Sequence, residues 1–173
     1  ELNLFLERCP ARAIGITGSV GKSTTSMLTY QALAAAWAAA QPPRAGRVYL
    51  GGNIGRSLLL DLPAMSENDI VVLELSSFML EATPAIGWSP HLAVMTNLRP
   101  NHLDRHHTIA AYAAAKQNIL RFQKSNDVAL FNADDELVCS WRPLARGRSA
   151  WFTTRGVAPL PLLLPGEHNQ SNA

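Results

Sequence analysis

The sequence has few cysteines, little net charge and no long hydrophobic run, and each shortage excludes a class of protein. Two of the 173 residues are cysteines. Cys9 and Cys139 are too far apart to form a metal or redox motif, so we expect two reduced thiols and a cytoplasmic protein. The formal net charge is only +2, and no basic stripe stands out. The sequence therefore predicts no nucleic-acid partner.

The apolar segments are too short to predict a membrane span. None approaches the roughly 18 consecutive apolar residues that a spanning helix needs. The longest alanine-rich segment, at 32–40, is followed by Pro42 and Pro43, which is typical of the end of a buried helix. The first residues also lack the segments of a signal peptide. We expect a protein with no membrane partner.

The chain does contain a regular alternation of strand-like and helix-like segments. Six apolar runs are continuous rather than alternating, which favours strands buried on both faces of a parallel sheet. These runs are 13–17, 47–50, 69–76, 91–98, 127–133 and 149–154. The helix-like segments are 21–40, 108–123 and 133–144, with Thr108 as an N-cap. The predicted fold class is α/β, a doubly wound and mostly parallel sheet, with ligands at the carboxyl ends of the strands.

The segment GITGSVGKSTT at 15–25 has the composition of a phosphate-binding loop between a strand and a helix. Gly18 and Gly21 allow backbone N–H groups to turn toward an anion, and the helix that follows adds its positive end. Lys22 stands where its amine can reach the β- and γ-phosphates. The strict P-loop pattern fails at one position, because Ile16 replaces its first glycine. The sequence predicts a P-loop-type mononucleotide site of a shorter kind.

Four side chains are candidates for a metal site beside this loop. A hydroxyl of Ser23 or Thr24 has the position that binds Mg²⁺ in phosphate-binding loops. Glu74 ends an apolar run, where a carboxylate is costly unless it is paired or binds a metal. His102 follows the next strand along the chain. Carboxylate oxygen and imidazole nitrogen could together bind a hard cation.

Three other titratable side chains have an ordinary interpretation from the residues alone. His106 and His107 lie in the loop segment HLDRHH, and we expect both to be solvent-exposed. Lys116 lies in the helix-like segment 108–123. Its position in the sequence alone favours a solvated helix lysine.

Taken together, these segments resemble the central ATP-binding domain of the Mur ligases, over nearly the whole chain. Five stretches carry the resemblance: GITGSVGKSTT, GGNIGRSLLLDL, VVLELSSFMLE, TNLRPNHLDRHHTIAAYAAAKQNIL and LPGEHNQSNA. GGNIG and LELSSF are similar to the D-glutamate-adding branch, whereas the loop and HLDRH are shared with folylpolyglutamate synthases. The resemblance implies a central domain at 13–173, truncated at its C-terminal end. It leaves 1–12 as a linker or the end of a preceding domain.

The resemblance implies ATP-dependent amide-bond formation in peptidoglycan precursor synthesis. ATP phosphorylates a carboxylate to an acyl phosphate, and an incoming amine then displaces phosphate. For this branch the substrates are UDP-N-acetylmuramoyl-L-alanine and D-glutamate, with ATP and Mg²⁺ as cofactors. The expected partners within the parent protein are a UDP-binding domain and a C-terminal domain, so we expect the isolated chain to be inactive.

The resemblance also assigns roles to individual residues. Those of the ATP loop are Gly18, Ser19, Val20, Gly21, Lys22, Ser23 and Thr24, with Asn169 and Asn172 on the adenine side. Those at the metal are Ser23, Thr24, Glu74 and His102, joined by Lys116 if it is carbamylated. Those near the UDP-muramoyl substrate are Asn53, Ser76 and Ser77. Those with a catalytic role are Lys22, His102 and Lys116.

Four positions depart from the pattern of the family. Val20 replaces an asparagine, Met79 a glutamine, Arg99 a small hydroxyl residue and Asn101 an acidic residue. Loss of the acid next to His102 is expected to weaken the contacts that orient the imidazole. The four changes leave room for a divergent or weakened enzyme. Three alternatives also stay open: another Mur ligase, a folylpolyglutamate synthase-like ligase, and a nucleotide-binding module without ligase activity.

Overall fold

Six parallel strands form the centre of the molecule in this computed structural model, which describes residues 1–153 and 155–156. Across the sheet the strands run in the order β2-β3-β1-β4-β5-β6. They are β1 (Arg12–Thr17), β2 (Val48–Gly52), β3 (Ile70–Glu74), β4 (Leu92–Met95), β5 (Val128–Asn132) and β6 (Arg148–Phe152). All five described pairings are parallel. The predicted α/β class and parallel sheet are confirmed.

The strand order places a crevice at the centre of the sheet. The chain leaves β3 on one side of β1 and continues into β4 on the other side. Loops that follow these three strands therefore diverge, and ligands in open α/β sheets bind at such a point. β3 ends at Glu74 and β4 at Met95, earlier than the apolar runs suggested. The polar residues that follow these strands consequently lie in the loops of the carboxyl edge.

The described residues form six α-helices and three 3₁₀ turns, of which α1 precedes the first strand. The helices are α1 (Leu2–Leu6), α2 (Lys22–Ala39), α3 (Ser77–Ala82), α4 (Leu103–His106), α5 (Ile109–Arg121) and α6 (Glu136–Cys139). The 3₁₀ turns are Leu59–Ala64, Thr83–Ile86 and Arg142–Leu144. None of these helices has the length and apolar character to cross a membrane, within the residues described.

The predicted N-cap at Thr108 is confirmed, whereas the predicted helix over 133–144 is not. Thr108 caps α5, because its hydroxyl accepts a hydrogen bond from the N–H of Ala111 at 3.1 Å. A continuous helix over 133–144 is wrong, since α6 ends at Cys139 and a separate 3₁₀ turn follows. Pro143 has no N–H to donate, and its ring would clash with the carbonyl four residues earlier in a continuous helix.

The hydrophobic core has a part on each face of the sheet, so the fold is doubly wound. Val71, Leu73 and their neighbours point toward α3 and α5, where Tyr112, Ile119 and Leu120 are buried. Ile16, Val72 and Val94 point the other way, toward Tyr30 and Leu33 of α2. Phe5 and Leu6 of α1 join the first part of the core. The domain boundary near residue 12 stays a prediction.

Candidate functional site

The loop after β1 depends on two glycines. A Cβ on Gly18 would collide with the hydroxyl oxygen of Thr96. Gly21 has a φ of 81° and is the N-cap of α2, a conformation that other residues adopt only with strain. The backbone therefore approaches β4 closely and then turns sharply into the start of α2.

The segment after β4 holds this loop in place. The N–H of Ser19 donates to the carbonyl of Asn97 at 3.0 Å. The side chain of Asn97 accepts from the N–H of Val20 and donates to its carbonyl, both at 3.0 Å. The Ser19 hydroxyl bonds the backbone N–H and carbonyl of Arg99 at 2.8 Å. Sequence reasoning missed Asn97, although a polar residue near the carboxyl end of the apolar run 91–98 was a usable signal.

Lys22 begins α2 and turns its side chain back over the loop. Its Nζ donates to the carbonyl of Ser19 at 2.9 Å. Burial lowers the pKa of Lys22, against the opposing effect of the Glu74 charge. Ser23 is exposed and Thr24 half-buried in the same helical turn. The ammonium and both hydroxyls therefore occupy the end of α2 that faces the crevice.

Glu74 is a buried carboxylate with an unused oxygen. The side chain is 1% exposed at the end of β3. Its Oε1 accepts from the amide Nδ2 of Asn53 at 2.9 Å, whereas Oε2 is buried without a hydrogen-bond partner among the described residues. An unpaired buried oxygen of this kind is costly. The free Oε2 is suited to binding a cation, and this observation supports the predicted role of Glu74 at a metal.

The GGNIG turn after β2 packs against this carboxylate. The N–H of Asn53 donates to the backbone carbonyl of Glu74 at 2.9 Å. Gly52 has a φ of 93°, and a Cβ there would collide with the same carbonyl. Asn53 was predicted to lie near a substrate, and its side chain bonds the carboxylate. The turn thus fixes both the backbone and the side chain of Glu74.

Lys116 lies under the loop and not at the surface, so the interpretation as a solvated lysine is wrong. The residue is 1% exposed. Its Nζ donates to the carbonyl of Gly18 at 2.8 Å and to the hydroxyl of Thr17 at 3.3 Å. Burial and then the Lys22 charge lower the pKa of Lys116 to about 7, against the opposing charge of Glu74. Its position on α5, packed against the sheet, puts the amine in the crevice.

His102 enters the site from a strained turn. Its φ is 52° at the start of α4, and its backbone N–H donates to Asn101 Oδ1 at 2.9 Å. The exposed imidazole lies edge-on to Phe78, with 5.2 Å between ring centroids. Among the described residues no three acidic, histidine or cysteine side chains form a ready metal centre. A cation here would draw further ligands from hydroxyls, water and phosphate.

His106 is the clearest error of the sequence reasoning, which expected it in solvent. It is 5% exposed, with Nε2 at 2.9 Å from Ser77 Oγ and Nδ1 at 3.3 Å from Glu81 Oε1. The missed signal was the spacing of Ser77 and Glu81, which puts both on one face of a helix. His107 is exposed, as expected.

The comparison with known proteins assigns the family. The family described as Mur ligase middle domain matches residues 16–156. The chain belongs to the Mur ligase family. It is 39% identical to a UDP-N-acetylmuramoylalanine–D-glutamate ligase of Symbiobacterium thermophilum, over 99% of this chain and 41% of the relative. It is 44% identical to the same-named ligase of Clostridium botulinum strain Okra, over 79% of this chain and 28% of the relative.

Solved Mur ligase structures share the fold. A UDP-N-acetylmuramoyl-L-alanyl-D-glutamate–2,6-diaminopimelate ligase superimposes with a TM-score of 0.64 at 26% identity, over 91% of this chain and 35% of that one. The MurF ligase of Thermotoga maritima, in complex with ADP, gives a TM-score of 0.60 at 22% identity, over 87% and 34%. The chain thus spans less than half the length of the curated relatives and structures compared.

The positions that depart from the Mur ligase pattern lie on the rim of the site. Val20 is 59% exposed, so the substitution leaves the core intact. Arg99 pairs with Asp135 at 2.7 Å. Met79 lines a cavity of about 240 Å³ beside α1 and the GGNIG turn, and its N–H donates to the Ser76 hydroxyl at 3.2 Å. Asn101 contacts the backbone of His102.

Two predicted residues of this Mur ligase domain cannot be compared with the structure. Asn169 and Asn172, which were assigned to the adenine side, lie outside the described residues. Their roles stay predictions.

Proposed function

We propose that the intact protein carrying this chain joins D-glutamate to UDP-N-acetylmuramoyl-L-alanine in the cytoplasm, with ATP as the energy source. The names of the similar ligases support this substrate pair. The observation that carries the proposal is the unpartnered, buried Oε2 of Glu74. That oxygen lies at the same edge of the sheet as the glycine loop and the two buried or half-buried lysines, Lys22 and Lys116.

ATP would bind with its phosphates on the loop from Gly18 to Thr24. Backbone N–H groups at the start of α2 and the helix dipole favour a bound anion. Lys22 already lies over the loop, 2.9 Å from the Ser19 carbonyl, and would neutralise charge that develops on the transferred phosphoryl group. A MurF ligase with the same fold forms a complex with ADP, which supports a nucleotide as the ligand.

Mg²⁺ would be held by Glu74, His102 and a hydroxyl of Ser23 or Thr24. When bound, the cation withdraws charge from the phosphate oxygens and orients them. The protein contributes a carboxylate whose free oxygen is buried and whose other oxygen is fixed by Asn53. Because Glu74 cannot turn away from the crevice without losing that bond, the site is organised before the nucleotide arrives.

Lys116 would act as a carbamate. With a pKa of about 7, a good share of its side chain is the neutral amine at physiological pH. The amine nitrogen can then attack the carbon of CO₂ and lose a proton. The product is an anion, which would remove the repulsion between Lys116 and Lys22 and would offer oxygen atoms to a cation held by Glu74 and His102.

The proposed reaction has two steps. A carboxylate oxygen of UDP-N-acetylmuramoyl-L-alanine attacks the γ-phosphorus and ADP leaves. The D-glutamate amine then attacks the acyl carbon, loses a proton and expels phosphate. Ser76 is the better candidate for direct substrate contact, because as an N-cap it accepts a bond and keeps its own hydrogen to donate. Ser77 is 2% exposed and bonded to His106, so we assign it a supporting role.

The test is phosphate release from ATP by the intact protein. We expect release only when both UDP-N-acetylmuramoyl-L-alanine and D-glutamate are present, and loss of release in the Lys22→Ala variant. Turnover with a folate and L-glutamate instead would identify a folylpolyglutamate synthase-like ligase. Binding of ATP without release under any substrate pair would indicate a nucleotide-binding module, and either result contradicts the proposal.

A further inference from the structure

We infer that His106 is a positioning residue that fixes two aromatic rings against which the predicted catalytic side chains lie. We call the rings of Phe78 and Tyr112 the aromatic platform. The inference rests on the proposed function, since it concerns the geometry of His102 and Lys116. It assigns a role to a buried imidazole that the proposed chemistry does not otherwise use.

His106 holds α3 at two points. Its Nε2 lies 2.9 Å from the hydroxyl of Ser77, and its Nδ1 lies 3.3 Å from the carboxylate of Glu81. Ser77 and Glu81 are four residues apart and share one face of the helix. A side chain bonded at two points along a face resists rotation of the helix about its axis. Phe78, which follows Ser77, is therefore held in one direction.

The aromatic platform connects His106 to the predicted site. The ring of His106 stacks on Phe78, with centroids 5.4 Å apart and planes within 13°, and lies 5.1 Å from Tyr112. His102 contacts the same two rings, at 5.2 Å and 6.1 Å. The Nζ of Lys116 lies 4.7 Å from the centroid of Tyr112. The imidazole of His106 thus contacts both rings of the platform, of which Tyr112 is shared by His102 and Lys116.

The segment that carries His102 needs such an anchor. His102 and His107 have φ angles of 52° and 62°, so a single helical turn is bounded by a strained residue at each end. Strained backbone persists only where the surroundings fix it. Within 102–107 only His106 is buried. Its contacts are therefore the main packing that keeps this turn, and His102 with it, in position.

The order Ser77, His106 and Glu81 is that of a hydrolytic triad, but the burial argues against nucleophilic chemistry. Ser77 is 2% exposed and His106 is 5% exposed. A nucleophile must reach a substrate carbon, and a hydroxyl on a residue that is 2% exposed is withdrawn from the surface. The three groups therefore act on one another, which is the behaviour of a positioning cluster.

The test measures Mn²⁺ affinity in the presence of ADP, by electron paramagnetic resonance on the intact protein. His106→Phe keeps a ring but loses both polar contacts, and we expect its Mn²⁺ affinity to fall by roughly tenfold, as for other residues that orient metal ligands. His106→Gln can still reach Ser77 and should recover part of the loss. His107→Asn is the matched control, because it removes the neighbouring exposed imidazole at a position where asparagine tolerates positive φ. Its affinity should be unchanged.

Affinities are expressed per folded molecule, with the folded fraction taken from circular dichroism. Equal affinity in wild type and His106→Phe would overturn the inference alone. No Mn²⁺ binding by the wild type would overturn the proposed function and the inference with it. If His106→Phe fails to fold, Glu81→Ala removes the acceptor for Nδ1 of His106, and we expect a smaller loss of Mn²⁺ affinity than in His106→Phe. Unchanged affinity in that variant would also overturn the inference.

Discussion

Strand β3 has a buried carboxylate at each end, and the two differ in their hydrogen-bond partners. Asp69, just before the strand, is 3% exposed and has partners on both oxygens. Oδ1 accepts from the N–H of Arg47 at 2.5 Å, and Oδ2 accepts from the N–H and hydroxyl of Ser66 at 2.6 and 3.2 Å. Glu74, at the other end, is 1% exposed, with Asn53 on one oxygen and no described partner on the other.

This difference separates the two ends of β3, whereas Asp135, after β5, has partners on both oxygens at the carboxyl edge. At the amino edge, buried charge is satisfied by backbone N–H groups, and Asp127 before β5 repeats the arrangement by accepting from the N–H of Lys124 at 2.6 Å. At the carboxyl edge, the buried Glu74 has one oxygen without a described hydrogen-bond partner, and burial lowers the pKa of Lys116. Natural proteins tolerate such violations where function requires them. The comparison therefore predicts that substitutions at the amino edge lower the free energy of unfolding and spare ligand affinity. Substitutions at the carboxyl edge should lower ligand affinity and spare the free energy of unfolding.

The largest effect on stability should come from the amino edge. Asp69→Ala leaves the N–H groups of Arg47 and Ser66 without their acceptors, and we expect a loss of about 3 kcal/mol in the free energy of unfolding. Urea denaturation measures this loss. Mn²⁺ affinity per folded molecule should stay unchanged, and a fall in that affinity would show that the two edges are not separable in this way.

The next largest effect should appear at the carboxyl edge, in binding. Lys22→Ala removes the ammonium that lies over the loop, and we expect ATP affinity to fall about thirtyfold, or about 2 kcal/mol. The unfolding free energy should change little, because Lys22 is only half-buried. Calorimetric titration measures the affinity. Unchanged binding of ATP would argue against a phosphate site at this loop.

Lys116 should give the carboxyl edge a characteristic pH dependence. Its pKa of about 7 is below the ordinary value of 10.5, so the unfolded chain binds more protons between these values. Stability should therefore rise with pH across this window, by up to about 1.4 kcal/mol per pH unit, and level off below it. Urea denaturation of wild type and Lys116→Met in CO₂-free buffer isolates the effect. The same slope in both proteins would contradict the buried placement of this amine.

The smallest effect is expected on the rim. Arg99→Ala removes the ion pair with Asp135, but the arginine side chain is 60% exposed. Asp135 is buried but keeps the N–H donors of Leu98 and Val138, so we expect a loss of less than about 1 kcal/mol. The Ser19 hydroxyl bonds only the backbone of Arg99. Thermal unfolding should show a small shift and ATP affinity should be retained. A large loss of ATP affinity would mean that Arg99 belongs to the site itself.

Most local features of the fold could be predicted from the sequence. Continuous apolar runs identified all six strands, because burial on both faces leaves a local pattern. Thr108 as a cap and the glycines of the loop were likewise predictable from short-range rules. The helix over 133–144 was mispredicted because Pro143 was given too little weight against the surrounding composition.

The sequence could predict which loops and strand ends form the site, but not which side chains are buried there or what they contact. Glu74 was identified from its place at the end of a strand, and Lys22 from its place at the start of a helix. The burial of Lys116 and His106 depends on how α3, α4 and α5 pack together. Lys116 reaches Gly18 across 98 positions of sequence, and no local pattern encodes that distance. The resemblance to the Mur ligases indicated Lys116, whereas only the structure revealed His106.

The most direct test of the account compares Glu74→Gln with wild type in two measurements on the same samples. The substitution keeps the shape of the side chain and removes its charge, so the partner on Oε1 can be retained. We expect Mn²⁺ affinity with ADP to fall at least about a hundredfold, while the free energy of unfolding stays equal or rises, because a costly buried charge is gone. A variant that binds Mn²⁺ like wild type, or that loses stability as Asp69→Ala does, would show that Glu74 is a structural carboxylate and contradict the account.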